Sequence, residues 1–306
     1  MEILAGHTGF VGGNLALEHK FDMLCNSKNV SEAFGTNPDL LVYAAVPAEM
    51  FLANNNPEAD KAATENAAEN IQKINPKRLV LISTIAVLSN PINVDEDVPV
   101  KTVGLSSYGL NRLNLEKLVQ EAAASCHIIR LPALFGNGIK KNFIYDMIQY
   151  IPAKLDQGKY EEFSGREQLV RECYVNSVNG FYELDKEKNK KHDLIGTFKR
   201  LGFSALNFTD SRSVFQFYNL AYLWRHIEIM LKNDLPLLHA ATEPLSAGKV
   251  YEYVFGEKFI NELGKQTFIY DFRTKHADLF GGEGGYIFGK ERTLDEIGTF
   301  VKEYRI

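Results

Sequence analysis

Cysteine is scarce in this chain of 306 residues: Cys25, Cys126 and Cys173 are odd in number and far apart. They yield no disulfide framework and no metal-ligand spacing, so the sequence predicts a reducing, cytoplasmic setting and no bound metal. Long apolar runs are missing as well. The stretch from Leu40 to Val46 is too short for a bilayer, so no membrane partner is expected. The opening Met1-Glu2-Ile3-Leu4-Ala5 reads as a strand, not as a basic-then-apolar leader. A positive excess is absent: the net charge is −5, which argues against nucleic acid as a partner. No internal repeat or low-complexity segment is visible. The hydrophobic share of 45% and the charged share of 24% are those of a globular protein, which excludes fibrous and disordered classes.

Strand and helix patterns alternate through the first half. Ile3–Ala5, Phe21–Cys25, Leu40–Val46, Arg78–Ile82 and Cys126–Leu131 read as strands, and Asn14–His19, Pro57–Lys73 and Tyr108–Ala124 as helices. This predicts an α/β fold, a Rossmann-type doubly wound parallel sheet with a smaller C-terminal lobe. Residues 1–150 form the dinucleotide-binding domain on this reading. Residues 151–306 form mostly the substrate-binding lobe, with segments returning to the first domain. Within them, Glu183–Asp193 is a charge run read as a solvated face, and Thr293–Tyr304 a terminal helix.

Gly6, Gly9 and Gly12 sit between the first strand and the first helix. Glycines let the backbone turn tightly and approach a pyrophosphate, which the helix N-terminus then attracts. At the end of the second strand stands Asn26-Ser27-Lys28, with no acid to hold ribose hydroxyls. Ser27 and Lys28 suit a 2′-phosphate, so NADP is favoured and NAD is the alternative. Ser83-Thr84 close another strand, and Tyr108 follows at a helix start with Arg112 one turn on. A tyrosine moves protons on a sugar hydroxyl or carbonyl when a cation tunes it, and positions i and i+4 share a face. Two other pairs, Tyr182 with Lys186 and Tyr286 with Lys290, have the same spacing without a preceding Ser-Thr strand end.

These segments, together with Asn66, Glu96-Asp97, Glu116 and Arg130-Leu131-Pro132, resemble the extended short-chain dehydrogenase/reductases. That is the NAD(P)-dependent sugar-nucleotide epimerase, dehydratase and reductase group, and Leu134–Ile148 is similar to its dTDP-4-dehydrorhamnose reductase branch. The resemblance implies catalysis by Thr84, Tyr108 and Arg112, where Arg112 occupies the place of the family's lysine. It implies cofactor contacts from Gly6, Thr8, Gly9, Phe10, Val11 and Gly12, from Ser27 and Lys28, and from Ala44, Ala45 and Val46. Ser83, Tyr108, Arg112, Leu131 and Leu134 complete that set. Substrate contacts are implied for Thr84, Asn142 and Phe143, with helix capping as the other reading of Asn142.

Arg112 is expected to hold the nicotinamide ribose and to depress the tyrosine's pKa; it keeps the charge of lysine but is larger, planar and always protonated. Ile85 and Ala86 stand where the dehydratases of the group carry an acid and a base, so dehydration is disfavoured. Arg273 or Lys275 would clamp a diphosphate or simply be exposed charge. The expected activity is an NAD(P)-dependent reductase or epimerase on a nucleotide-activated sugar. The alternative is a cofactor-binding, weakly catalytic or non-catalytic sensor or scaffold. A homodimer through the Tyr108–Ala124 helix is the further expectation from the resemblance.

Overall fold

A computed structural model describes every residue except 124, 178, 179, 191, 265, 266, 305 and 306, and the side chains of 51, 52 and 122. Ala124, the last residue of the expected fourth-strand-to-fifth-strand helix, and Lys191 of the charge run therefore lie outside the described residues. Two compact units emerge. The first comprises Met1–Ile139, Val214–Leu245 and Phe268–Glu296, and the second Lys140–Ser213, Ser246–Thr267 and Ile297–Ile306.

In the first unit six parallel strands form one sheet. They are β1 (Glu2–Ala5), β2 (Met23–Cys25), β3 (Leu40–Tyr43), β4 (Leu79–Thr84), β5 (Cys126–Leu131) and β6 (Leu237–His239), in the order β6-β5-β4-β3-β1-β2. Successive strand residues point to opposite faces, and both faces are covered. Leu4, Val42, Val80 and Ile129 pack with Leu15, Leu223 and Ile227 on one side. Ile3, Leu41, Leu79 and Ile128 pack with Ala67, Ile71, Leu115 and Val119 on the other. A fully buried aliphatic side chain contributes roughly 1.5–3 kcal/mol. The unbroken apolar runs read from the sequence thus become strands buried on both faces.

The covering helices are α1 (Phe10–Glu18), α2 (Pro57–Ile74), α3 (Ser107–Ala122) and α4 (Leu223–Lys232). Asn56 caps α2 by accepting from the Ala59 N–H, and Ser106 caps α3 by accepting from Gly109. The chain order reverses at β1, with β2 on one side and β3 on the other. In open parallel sheets that crevice, at the C-terminal ends of the strands, is where ligands bind.

The second unit has an antiparallel sheet of Lys154–Asp156, Phe181–Leu184 and Tyr174–Asn176, with Phe181–Leu184 in the middle. Leu155, Phe163, Val170, Cys173 and Phe198 are its core. The charge run begins in that middle strand and continues into a one-turn helix, Lys186–Asn189. There Lys190 pairs with Glu187 at 2.8 Å.

Candidate active site

The turn after β1 is built for close approach. Gly6 has φ +95° and donates its N–H to Cys25 O at 2.7 Å. A Cβ on Gly6 would lie 2.4 Å from Ala44 O, and one on Gly12 2.1 Å from Gly6 O. Side chains at either position collide with backbone, so this cradle exists only with glycine. Gly9 is the N-cap of α1 and has no side-chain cap, so the first-turn N–H groups, with Phe10 and Val11, head the helix unpaired by any side chain. His7 is tied through Nδ1 to Cys25 O at 2.9 Å. The donor set and the absent Cβ atoms fit a pyrophosphate.

Across the same sheet edge, Ala44, Ala45 and Val46 follow β3 and are partly buried, while Ser27 and Lys28 follow β2 and are exposed. Lys28 donates its backbone N–H to Asn26 Oδ1 at 2.8 Å, which leaves its side chain outside that turn. Leu131 is buried at the end of β5, and Leu134 lies in a short strand, Ala133–Phe135, that pairs with Phe217–Asn219. A fastener unseen in the sequence joins this segment to α1. Asn14 Nδ2 donates to Asn137 O at 2.9 Å, and Asn14 Oδ1 accepts from Asn137 N at 3.0 Å.

Tyr108 is 5% exposed and begins α3, whose Gly109 passes against Ala86 O so closely that a Cβ would sit 2.2 Å away. The Thr84 and Arg112 side chains both reach the Tyr108 hydroxyl. Burial pushes the phenol up, Arg112 and Thr84 pull it down, and Asp60 pushes it up again; the outcome is above the ordinary value of 10. The expected depression by Arg112 is thus outweighed, because the site is dry and Arg112 has its own counter-ion. Its Nη2 lies 3.0 Å from Asp60 Oδ1 and also donates to Pro47 O, and its Cζ stands 4.5 Å from the Tyr108 ring centroid.

Ser83, beside Thr84, faces the other way into a buried chain of charges. Its Oγ donates to Glu116 Oε1 at 2.5 Å. Arg130 forks onto the same carboxylate, Nε to Oε1 at 3.1 Å and Nη2 to Oε2 at 2.6 Å. Arg130 Nη1 lies 3.2 Å from Nε2 of the fully buried His239. Burial lowers the His239 pKa, and the neutral ring fits as donor to Arg273 O through Nδ1 and acceptor from Arg130. Glu96 then holds the His239 N–H and the Thr274 hydroxyl, each at 2.7 Å.

Other candidates have structural work. Asn142 caps the helix Phe143–Ile148, its Oδ1 accepting from Ile144 and Tyr145, and Phe143 is buried against Phe259. Asn66 is exposed, whereas Asn70 is buried and hydrogen-bonded to Tyr43. Lys275 pairs with Asp97 at 2.5 Å, and Arg273 lies over the Tyr286 ring. The two spacing look-alikes are not paired: Tyr182 stacks on Tyr160, Tyr286 donates to Asp271, and Lys290 bridges to Glu243.

The second unit holds its own cavity of about 620 Å³, walled in part by Tyr150, Tyr251 and Phe255 with Asp146, His192 and Lys199. Burial raises the Asp146 carboxyl from 3.8 to about 7. A carboxyl raised on folding costs stability once the unfolded chain ionises; the cost grows from about pH 4 and is complete above about pH 7. Each pH unit between the two values is worth about 1.4 kcal/mol, and solvent at this partly buried group reduces the total. Asp146→Asn should therefore gain about 1–3 kcal/mol at pH 8 and nothing at pH 4. Denaturant titrations at both pH values check this, and an equal effect at both would count against the raised carboxyl.

The family model of the RmlD substrate binding domain matches residues 9–156. No curated protein sequence matches the chain. Among solved structures, dTDP-4-dehydrorhamnose reductase from Bacillus anthracis, in complex with NADP, is 16% identical with a TM-score of 0.64, covering 99% of this chain and 97% of that one. The enzyme WbmG from Bordetella bronchiseptica, in complex with NAD, is 14% identical with a TM-score of 0.66, covering 99% and 94%. UDP-glucose 4-epimerase from Thermotoga maritima, with UDP-glucose, is 12% identical with a TM-score of 0.64, covering 100% and 99%. Among the described residues no helix is long and apolar enough to cross a membrane. Over residues 9–156 the sequence matches the RmlD substrate binding domain family, and over its whole length the chain shares the fold of these solved structures.

Proposed function

We propose that the chain is a cytoplasmic NAD(P)-dependent oxidoreductase or epimerase acting on a nucleotide-activated sugar, with Tyr108 as general acid/base. NADP is the cofactor of this reading and NAD the alternative. The observation that carries it is the convergence of the Thr84 and Tyr108 side chains at the C-terminal end of β4, on the sheet edge that bears the glycine turn. The relatives' complexes with NADP, NAD and UDP-glucose support the same chemistry.

The glycine turn and the head of α1 would hold the pyrophosphate, and Ser27 and Lys28 the 2′-phosphate. A bound nicotinamide supplies or takes up hydride at a sugar carbon. Thr84 and Tyr108 hold the oxygen on that carbon, and Tyr108 Oη gives it a proton or takes one away. Ile85 and Ala86 carry no proton, so dehydration finds no support here. Asn142, Phe143 and the C-terminal lobe, residues 151–306, are the proposed substrate side. Exposed Leu110 and Leu118 on α3 favour a homodimer through that helix.

Binding titrations with both cofactors test the reading. Gly9→Asp puts a carboxylate where the pyrophosphate would lie, and its Cβ starts 3.3 Å from Gly6 O. Cofactor affinity should fall at least 100-fold, about 2.7 kcal/mol, for two like charges brought together in a poorly solvated turn; a folded variant with unchanged affinity would count against the site. Lys28→Glu should cost NADP(H) roughly 10-fold more than NAD(H), because only the former has a 2′-phosphate to repel. Equal losses for the two would remove Lys28 from the site.

A second reading, a cofactor-binding protein with weak or no catalysis, is favoured by one observation: the Arg112 guanidinium is committed to Asp60 and Pro47 O. Tight cofactor binding without turnover of any nucleotide sugar in a panel would select it.

A further inference from the structure

Arg112 does not stand alone beside Tyr108. It is 4% exposed, and the carboxylate facing it, Asp60 on α2, is 9% exposed. Both terminal guanidinium nitrogens reach that carboxylate, Nη1 to Oδ2 at 3.3 Å and Nη2 to Oδ1 at 3.0 Å. Asn111, the neighbour of Arg112 on α3, donates to Asp60 Oδ2 at 2.9 Å and to Pro57 O at 3.1 Å, so the carboxylate is itself held in place. The guanidinium lies over the Tyr108 ring, and Asn54 accepts the Tyr108 backbone N–H at 3.0 Å.

We propose, on the reading of Tyr108 as the acid/base group, that Asp60 is a positioning residue. It pins the Arg112 guanidinium against the Tyr108 ring and offsets its charge there, so that the pair works with burial to favour Tyr108 as a proton donor.

The argument is one of charge and geometry. A cation beside a buried phenol favours the phenolate, and it does so strongly where water is absent. An arginine guanidinium is a permanent cation in proteins. Left unpaired, Arg112 would shift Tyr108 towards the phenolate and make it a weaker keeper of its proton. Paired with Asp60 it forms a neutral unit whose two halves act on Tyr108 in opposite senses: Arg112 favours the phenolate and Asp60 the phenol. The groups that face Tyr108 from the elements around it are Arg112 on its own helix, Asp60 on α2 and Thr84 at the end of β4. Burial favours the phenol first of all, and Thr84 is uncharged, so among the charged groups the balance rests on the pair. A planar fork fits this arrangement because it can bind a carboxylate with two nitrogens and still lie flat on a ring.

The test follows Tyr108 directly in the full chain, by NMR of ring-carbon-labelled tyrosine between pH 7 and 12. The Tyr108 signal is identified by its loss in Tyr108→Phe. In the wild type it should titrate above 10. Asp60→Asn keeps the side-chain shape and removes the anion, and should move the titration down by about one pH unit or more. Arg112→Met should move it up. The double variant, Asp60→Asn with Arg112→Met, should return it close to the wild type, because the two effects oppose each other. The kcat–pH profile should follow the same order.

An Asp60→Asn titration indistinguishable from wild type overturns the proposal. Should Asp60→Asn alone fail to fold, with a buried guanidinium left without its anion, Arg112→Met and the double variant decide. A double variant titrating lower than Arg112→Met supports Asp60, and coincident titrations refute it. The two readings fail separately. Full activity in Tyr108→Phe removes the acid/base assignment whatever the titrations do. An inactive Tyr108→Phe beside an unmoved Asp60→Asn removes only the role of Asp60.

Discussion

Tyr108→Phe should lower turnover of the proposed sugar-nucleotide substrate by about 100-fold or more, the usual scale for a lost acid–base group. The substitution keeps the ring that lies under Arg112 and removes only the hydroxyl that Thr84 and Arg112 reach. Its cost to folding should be small, about 1 kcal/mol for one hydrogen bond. Cofactor affinity should barely move, since the glycine turn and Lys28 are untouched. The pH dependence adds a second check. Burial holds the Tyr108 phenol above 10. A reaction that needs the phenol should therefore keep its rate until the pH passes 10, and one that needs the phenolate should climb throughout the neutral range. Steady-state kinetics beside cofactor titrations would measure both. A fully active Tyr108→Phe on a true substrate would remove Tyr108 from the mechanism.

The sheet and the glycine turn were legible because their signals are local. Leu40–Tyr43 and Leu79–Ile82 are continuous apolar runs, and such runs between helices mean parallel strands buried on both faces. The strand Cys126–Leu131 has the bounds read from its pattern. The sixth strand, Leu237–His239, escaped because three residues carry no period; it exists by pairing with β5. Tyr108 and Thr84 could be brought together in advance, since one ends a strand and the other starts the next helix. What could not be read was where Arg112 points. Its partner Asp60 is 52 residues away on α2 and looks like any first-turn acid of a helix. Nor could the two asparagines of α2 be ranked, because burial of Asn70 rather than Asn66 depends on which helix face meets β3. Asn142 shows the opposite case: a local motif, the helix cap, accounts for its side-chain oxygen.

Glu116→Ala should destabilise the protein by about 3–5 kcal/mol, the scale for removing one partner of a buried ion pair. Glu116 and Arg130 are 2% and 5% exposed, and the carboxylate takes three hydrogen bonds: one from Ser83 and two from the Arg130 fork. Removing it leaves a guanidinium in the dry interior. His239 cannot compensate, because it is neutral and already fastened to Arg273 O. The loss should appear as a fall on the order of 10 °C in the first unfolding transition. Replacing both charges by apolar groups, Glu116→Leu with Arg130→Met, should cost less than Glu116→Ala alone, since no uncompensated charge then remains buried. Calorimetry and denaturant titration of the three proteins make the comparison. A single-variant cost under about 1 kcal/mol, the level of an exposed pair, would mean that water reaches the network. It would then no longer explain how the end of β4 is held where Thr84 meets Tyr108.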